Sequence, residues 1–377
     1  MVGYYFDSRN VLDFIALKRI SLFLIISGLV GIFIGCNSSS FNSEGIPFKV
    51  DNNTLSKWED VFGEDEILSF TKDGSEFEFY TIGGLVINST GDYFIIDGKR
   101  GKIIQFNAAG KFKQFVGTNG EGPGEYTIIA ALSMDKNDDL YIFDIPQMRI
   151  IKYSAPGYLY EKQINYGKPI QDIITVDNGD LILYSSNIGE VLYRVNGEGN
   201  IINKTFTPRQ ETFRLFITHF NLGSFCRYSN TNFLFIFPEE YRVYVFNDDL
   251  KIEKTFFAAS PSRFFPTAKS FPNQLSPYNF TPQHAKWMMN TLYPANIEYL
   301  GNGRYVILLI EYQNLSEKLY LNIHDMDGIT LAAGIEIPFG GILRYAKDGY
   351  IYVVEKDSID EKGDISPFKL HRFKLKI

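Results

Sequence analysis

Gly91-Asp92-Tyr93-Phe94-Ile95-Ile96-Asp97 and Asp138-Asp139-Leu140-Tyr141-Ile142-Phe143-Asp144 are two copies of one phrase. In each, a turn rich in Gly, Asp and Asn runs straight into a short aromatic and aliphatic stretch. The phrase returns at Asn178-Gly179-Asp180-Leu181-Ile182-Leu183-Tyr184 and at Asn230-Thr231-Asn232-Phe233-Leu234-Phe235-Ile236. Its last copies are Gly303-Arg304-Tyr305-Val306-Ile307-Leu308 and Asp348-Gly349-Tyr350-Ile351-Tyr352-Val353. Counted from positions 93, 140, 181, 233, 304 and 350, the runs recur in steps of 47, 41, 52, 71 and 46 residues. Runs of this composition between turn formers read as strands. Periods of roughly 40 to 50 residues with several strands each mark propeller blades. Six copies predict an all-β chain folded as a six-bladed β-propeller.

Each phrase sits in a unit of about four strands. In the first unit these are Gly84 to Ile87, Tyr93 to Asp97, Lys102 to Phe106 and Phe112 to Val116, with Asp97-Gly98 and Ala109-Gly110 as turn formers. The sixth unit is one strand short when the chain ends. Ile46-Pro47-Phe48-Lys49-Val50 is the candidate for that strand, so that an N-terminal strand closes the last blade and covers its edge. Residues 54 to 62 read as a short helix, with Thr54 or Ser56 as its cap. The longest interruption, 258–294, carries prolines at 261, 266, 272, 277 and 282 and is rich in Phe, Tyr and Trp. Loops of this length are usually functional or disordered, and aromatic content argues against disorder. Gln283 to Leu292 reads as a short helix with Pro282 in its first turn.

The N-terminus predicts export. Lys18-Arg19 precede an uncharged apolar run from Ile20 to Ile34, shorter than the roughly 20 residues a spanning helix needs. The run ends in Phe33-Ile34-Gly35-Cys36 followed by Asn37-Ser38-Ser39-Ser40, which resembles a bacterial lipobox with Cys36 as the lipidated residue. The expected organisation is a lipoprotein signal peptide over 1–35, a flexible tether over 36–45 and the propeller over 46–377. Acyl chains on Cys36 would hold the body at a membrane, with the outer membrane as the expected location. Cleavage removes Asp7, Arg9, Asp13, Lys18 and Arg19 and takes the net charge from −7 to −8. An acidic chain lacks the Lys and Arg excess that nucleic-acid binding needs, and no nucleic-acid partner is expected. With Cys36 lipidated, Cys226 is the only other cysteine. No internal disulfide is then possible, and a buried, inert thiol is expected at Cys226.

After the first unit comes Gly120-Glu121-Gly122-Pro123-Gly124-Glu125-Tyr126. This phrase, with the lipobox and the six units, resembles the six-bladed β-propeller lipoproteins of Bacteroidetes, distant relatives of the NHL-repeat propellers. The resemblance implies fold and export and leaves the chemistry open. In residue terms the glycines and Pro123 make a rigid turn from an outer strand to the next inner one.

Motifs for catalysis are missing. The four histidines, at 219, 284, 324 and 371, have no metal-ligand spacing. Asp135-Lys136-Asn137-Asp138-Asp139 lacks the Gly and distal Glu of a calcium loop and reads as a hairpin turn. There is no nucleophile elbow and no phosphate loop. No metal or cofactor is expected. The candidate ligand-binding residues are Arg209, Arg214 and His219, between units three and four, and Arg263, Tyr278, His284 and Trp287 in the 258–294 insert. They mix aromatic faces with fixed donors, suited to glycan, peptide or an envelope-protein partner. The leading expectation is a non-enzymatic binding or scaffold module. The alternative is a propeller enzyme, a lyase or hydrolase, with carboxylates or His284 converging at the central channel.

Overall fold

The computed structural model describes residues 45–377 apart from 186–188, 208–222, 261, 267–280, 290, 314–315 and 356–366. Six four-stranded antiparallel blades follow one another along the chain. Their innermost strands are Gly84–Ile87, Ile129–Met134, Ile170–Thr175, Ser224–Arg227, Leu292–Gly301 and Ile342–Lys347. Each lies against the next, and the sixth returns to the first, so the ring closes around a central channel. The recurring phrase supplies the turn and the second strand of every blade, for example Tyr93–Asp97 and Leu140–Asp144.

One turn design explains the repeated Asn and Asp. Asn88 and Asp135 accept backbone N–H bonds from two and four residues ahead, in turns between first and second strands. Asn107, Asn196, Asn247 and Asp325 do the same between third and fourth strands. The residue three ahead is left-handed in all six, and four of the six are Gly. At Gly110 a side chain would also strike the Ser69 backbone, because the N-terminal segment crosses the turn there.

An N-terminal strand does close the last blade, but it is Phe62–Leu68, antiparallel to Leu370–Leu375. The Ile46 to Val50 segment expected in that place lies elsewhere. Ile46–Pro47 runs parallel to Ile252–Phe257 as a fifth strand of blade four, and Lys49 and Leu55 bridge to blade five. Pro47 lacks a ladder donor and suits an outer edge, whereas Asp65 to Leu68 pair in continuous register with Leu370 to Phe373. The expected N-terminal helix shrinks to one turn, Trp58–Val61, without a side-chain cap. Thr54 instead donates to the Thr330 carbonyl, so this segment is fixed to blade five rather than to a helix.

The core lies between blades. Leu85, Ile95 and Ile104 of blade one meet Tyr352, Val354 and Leu370 of blade six. Phe94 and Ile103 meet Leu132 and Ile142 of blade two. The glycine-rich phrase locks this second junction. The Tyr126 hydroxyl donates to the Val116 carbonyl at 2.7 Å and accepts from the Ile103 N–H at 3.1 Å. Arg149 pairs with Asp144 and donates to the Glu125 carbonyl. A side chain on Gly124 would strike Tyr160, so backbone and ring touch there. The phrase is a structural joint.

Candidate functional site

The innermost strands enclose a cavity of about 240 Å³ on the propeller axis, and all six contribute to its wall. The two sides differ in chemistry. Blades one and two present Leu85, Val86, Leu132, Ser133 and Met134, with no ionisable group. Blades three to six present Asp172, Cys226, Arg227, Glu298 and Arg344, with Tyr299 and Tyr345.

Asp172 and Glu298 dominate the polar side. Asp172 accepts the N–H of Ile173 at 2.9 Å, and Glu298 accepts from the Asn296 amide at 3.2 Å. Asn296 is held in turn by the Ser224 hydroxyl at 2.5 Å, which also receives the Ile297 N–H. Burial pushes Glu298 up to about 8, and the nearby Asp172 charge adds to the rise against the Asn296 and Ala346 hydrogen bonds. Burial likewise pushes Asp172 up to about 6. Both side chains keep part of their surface open to the channel, so water limits the penalty on the charged forms. Burial first, then Glu298 and Asp172, raise the Cys226 thiol well above its usual range. It is a protonated thiol, as the sequence suggests, and not a nucleophile.

No described Lys, Arg or His forms an ion pair with either carboxylate. Arg227 is committed to Asp248 at 3.0 Å and to the Thr175 carbonyl at 2.8 Å. The cavity therefore holds two coupled acids without a paired cation among the described residues. Such a pair can share a proton, receive a cation, or act as acid and base. No group of three potential metal ligands occurs among the described residues.

The insert residues are placed away from this cavity. Arg263 lies over the Phe264 and Tyr320 rings and is 3.7 Å from Glu311. Phe264 is packed on Gly334, and its carbonyl accepts from Asn322. Phe265 enters the core between blades four and five beside Tyr241 and His324. His284 and Trp287 lie on the helix Pro282–Met288. His284 is 1% exposed, and its Nδ1 receives the Thr281 N–H at 3.0 Å. Trp287 is half-buried near Tyr293. Among the described residues no hydrogen bond or ring contact joins Arg263 to His284 or Trp287, and none of the three lines the cavity. His284 thus does not converge on the channel as the enzyme alternative expected. Arg209, Arg214, His219 and Tyr278 lie outside the described residues, as does Cys36.

Sequence reasoning passed over the channel acids, although a signal existed. Glu298 faces Val306 of the second strand, and its counterparts at that register are Val86, Ser133, Ile174, Cys226 and Ala346. Asp172 stands level with Gly84, Ala131, Ser224 and Asn296. A carboxylate where the repeat otherwise keeps uncharged residues marks each one.

The chain belongs to the 6-bladed beta-propeller family DUF5128, which matches residues 50–298. Its fold is similar to that of a candidate exported protein of Bacteroides fragilis, with a TM-score of 0.63 at 14% identity over 88% of this chain and 99% of that one. A DUF4221-family protein of Bacteroides vulgatus gives 0.56 at 11% identity, over 83% and 99%. Virginiamycin B lyase of Staphylococcus aureus gives 0.46 at 11%, over 83% and 99%, a likeness too slight to bear on activity. No curated protein matches the chain. Among the described residues no helix is long and apolar enough to cross a membrane.

Proposed function

We propose that this protein is an exported, lipid-anchored binding module of the cell envelope that takes a small polar ligand into its central channel. The observation that carries the reading is the axial cavity, walled by all six blades and holding two carboxylates without a described cation partner. A concave site with a few convergent polar groups is the usual form of a ligand pocket. The Lys18-Arg19 leader and the Cys36 lipobox would supply the export and anchoring, and the candidate exported protein of Bacteroides fragilis that shares the fold is in line with them. The exposed Arg263 side chain is then the described candidate for contact with a larger glycan, peptide or envelope protein outside the channel.

Two measurements test this. Labelling cells with a radioactive fatty acid should mark the wild-type protein and leave Cys36→Ala unlabelled. Label on the variant, or none on wild type, removes the anchor. Thermal-shift screening against monosaccharides, amino acids and amines should give a hit that Met134→Trp, which fills the cavity, abolishes. Hits indifferent to that change move the site elsewhere.

The perturbed acid pair favours a second reading, a channel lyase or hydrolase with Glu298 as acid and Asp172 as base. Turnover of a bound compound that is lost in both Glu298→Gln and Asp172→Asn would select it over simple binding.

A further inference from the structure

We propose that the channel ligand is a compact organic cation, its ammonium group between Asp172 and Glu298 and its apolar body along Leu85, Val86, Leu132 and Met134. The inference rests on the channel being the binding site.

Three observations lead to it. First, the two carboxylates line one cavity and form no ion pair among the described residues. Two acids brought together this way gain most from a cation that satisfies both. Second, the cations already in the wall do not serve that purpose, since the Arg227 guanidinium is tied to Asp248 and a backbone carbonyl and no ion pair joins Arg344 to either acid. Third, the opposite side of the cavity, from blades one and two, offers apolar side chains and no ionisable group. An ammonium head with a short hydrocarbon body matches both sides, whereas an inorganic cation matches only one. The absence of a three-ligand metal cluster among the described residues points the same way.

Binding should be proton-linked. The groups facing the pair are Cys226 and Arg227 from blade four, Tyr299 from blade five, and Arg344 and Tyr345 from blade six; blades one and two add none. Cys226 and Tyr345 stay protonated across neutral pH, and the two arginines stay charged. The acids are therefore the groups that change. In the free protein the raised Glu298 keeps its proton to higher pH than an ordinary Glu does. The arriving ammonium favours the ionised form, so that proton leaves to solvent as the cation binds. Affinity should rise with pH until Glu298 is ionised without help. An alkylamine keeps its own charge over this range, as a lysine does.

The test is isothermal titration of the whole chain in detergent with hexylamine, 1-hexanol and hexanoate, at pH 6, 7.5 and 8.5. Two buffers of different ionisation enthalpy count the protons released. Hexylamine is expected to bind, and to bind more tightly at pH 8.5 than at pH 6 with net proton release. Glu298→Gln and Asp172→Asn should each weaken it by about tenfold to a hundredfold, the range of a hydrogen bond to a charged group. These changes keep side-chain shape, and circular dichroism checks that both variants fold. Met134→Trp should abolish binding. Hexanol or hexanoate bound as tightly as the amine, with binding lost in Met134→Trp, overturns the cation and leaves the channel reading standing. Hexylamine affinity unchanged in both acid variants also overturns the cation. Binding of no probe, or binding indifferent to Met134→Trp, overturns both readings.

Discussion

Replacing Glu298 with Gln should make the unliganded protein more stable, and the gain should depend on pH in a defined way. The folded channel raises Glu298 to about 8, while an unfolded chain leaves a Glu near 4.3. Between those values the folded state holds a proton that the unfolded state has lost. Stability therefore falls as pH rises through that window, by at most about 1.4 kcal/mol per pH unit. The full shift would amount to about 5 kcal/mol. Channel water reaches part of the side chain, so about 2 kcal/mol is the expected loss by pH 8. Below about pH 4.3 both states are protonated and nothing is lost. Gln keeps the shape, can still receive the Asn296 amide on its own carbonyl and carries no charge to desolvate. The variant should thus exceed wild type by about 2 kcal/mol at pH 8, a rise of roughly 3 °C in melting temperature for a chain of this size. At pH 4.5 the difference should be near zero. Thermal and urea unfolding followed by circular dichroism at pH 4.5, 6.5 and 8 reads both quantities. A variant no more stable than wild type at pH 8, or a gap that stays constant with pH, would refute the account of the channel.

Other outcomes follow from the rest of the molecule. Pro at Glu66 and Pro at Ile67 should differ sharply, because adjacent residues of the closing strand turn their N–H groups in opposite directions. One change should cost about 1–3 kcal/mol in urea unfolding by removing a bond to Leu370–Leu375, the other little. Tyr126→Phe leaves the Ile103 N–H buried without its partner and should cost about 1–3 kcal/mol; a neutral result would mean the glycine-rich joint carries no strength. His324 is enclosed by Tyr241, Thr330 and Phe48, and burial pushes it down to about 3. Its neutral form is required, so stability should fall as pH drops below about 6.5. His324→Gln should show a shallower fall between pH 6.5 and 4, and equal slopes would sink the idea.

The parts of the fold that were legible are those set by local chemistry. Asn88, Asp135 and their counterparts spell out a turn because a short side chain can accept two backbone N–H groups within four residues. Blade one holds two such turns and blade six shows none among the described residues, so it is the recurring phrase at the head of each second strand that counts blades. Closure was legible in kind and not in place. The short sixth unit demanded an outside strand, yet both 46–50 and 62–68 could supply one. Choosing between them needs the path over blades four and five, a long-range matter. The aromatic insert drew attention as a binding surface because Arg, Trp and Tyr favour interfaces. Arg263 and His284 are instead held by neighbours in their own part of the fold. Composition alone cannot separate a ring that packs from a ring that waits.

The channel acids follow a different rule. A repeat fold makes six equivalent wall positions, and equivalence is the default that packing favours. Val86, Ile174 and Ala346 keep to that default at the register of Glu298, and Gly84 and Ala131 keep to it at the register of Asp172. An acid at such a position brings nothing to the blade interfaces and must be desolvated, a cost that apolar or small side chains avoid. Two such departures facing one cavity do not relieve each other, since their charges repel and raise the proton affinity of Glu298. The propeller would therefore be more stable without them. What makes them intelligible is a partner that arrives from outside and offsets the repulsion, so destabilisation of the free channel and recognition of a cation are two consequences of one arrangement. If so, the variants that stabilise the empty protein are the same ones that lose the ligand. Glu298→Gln and Asp172→Asn should each raise the melting temperature while weakening hexylamine, and a variant that loses stability and binding together would place these acids in the scaffold instead.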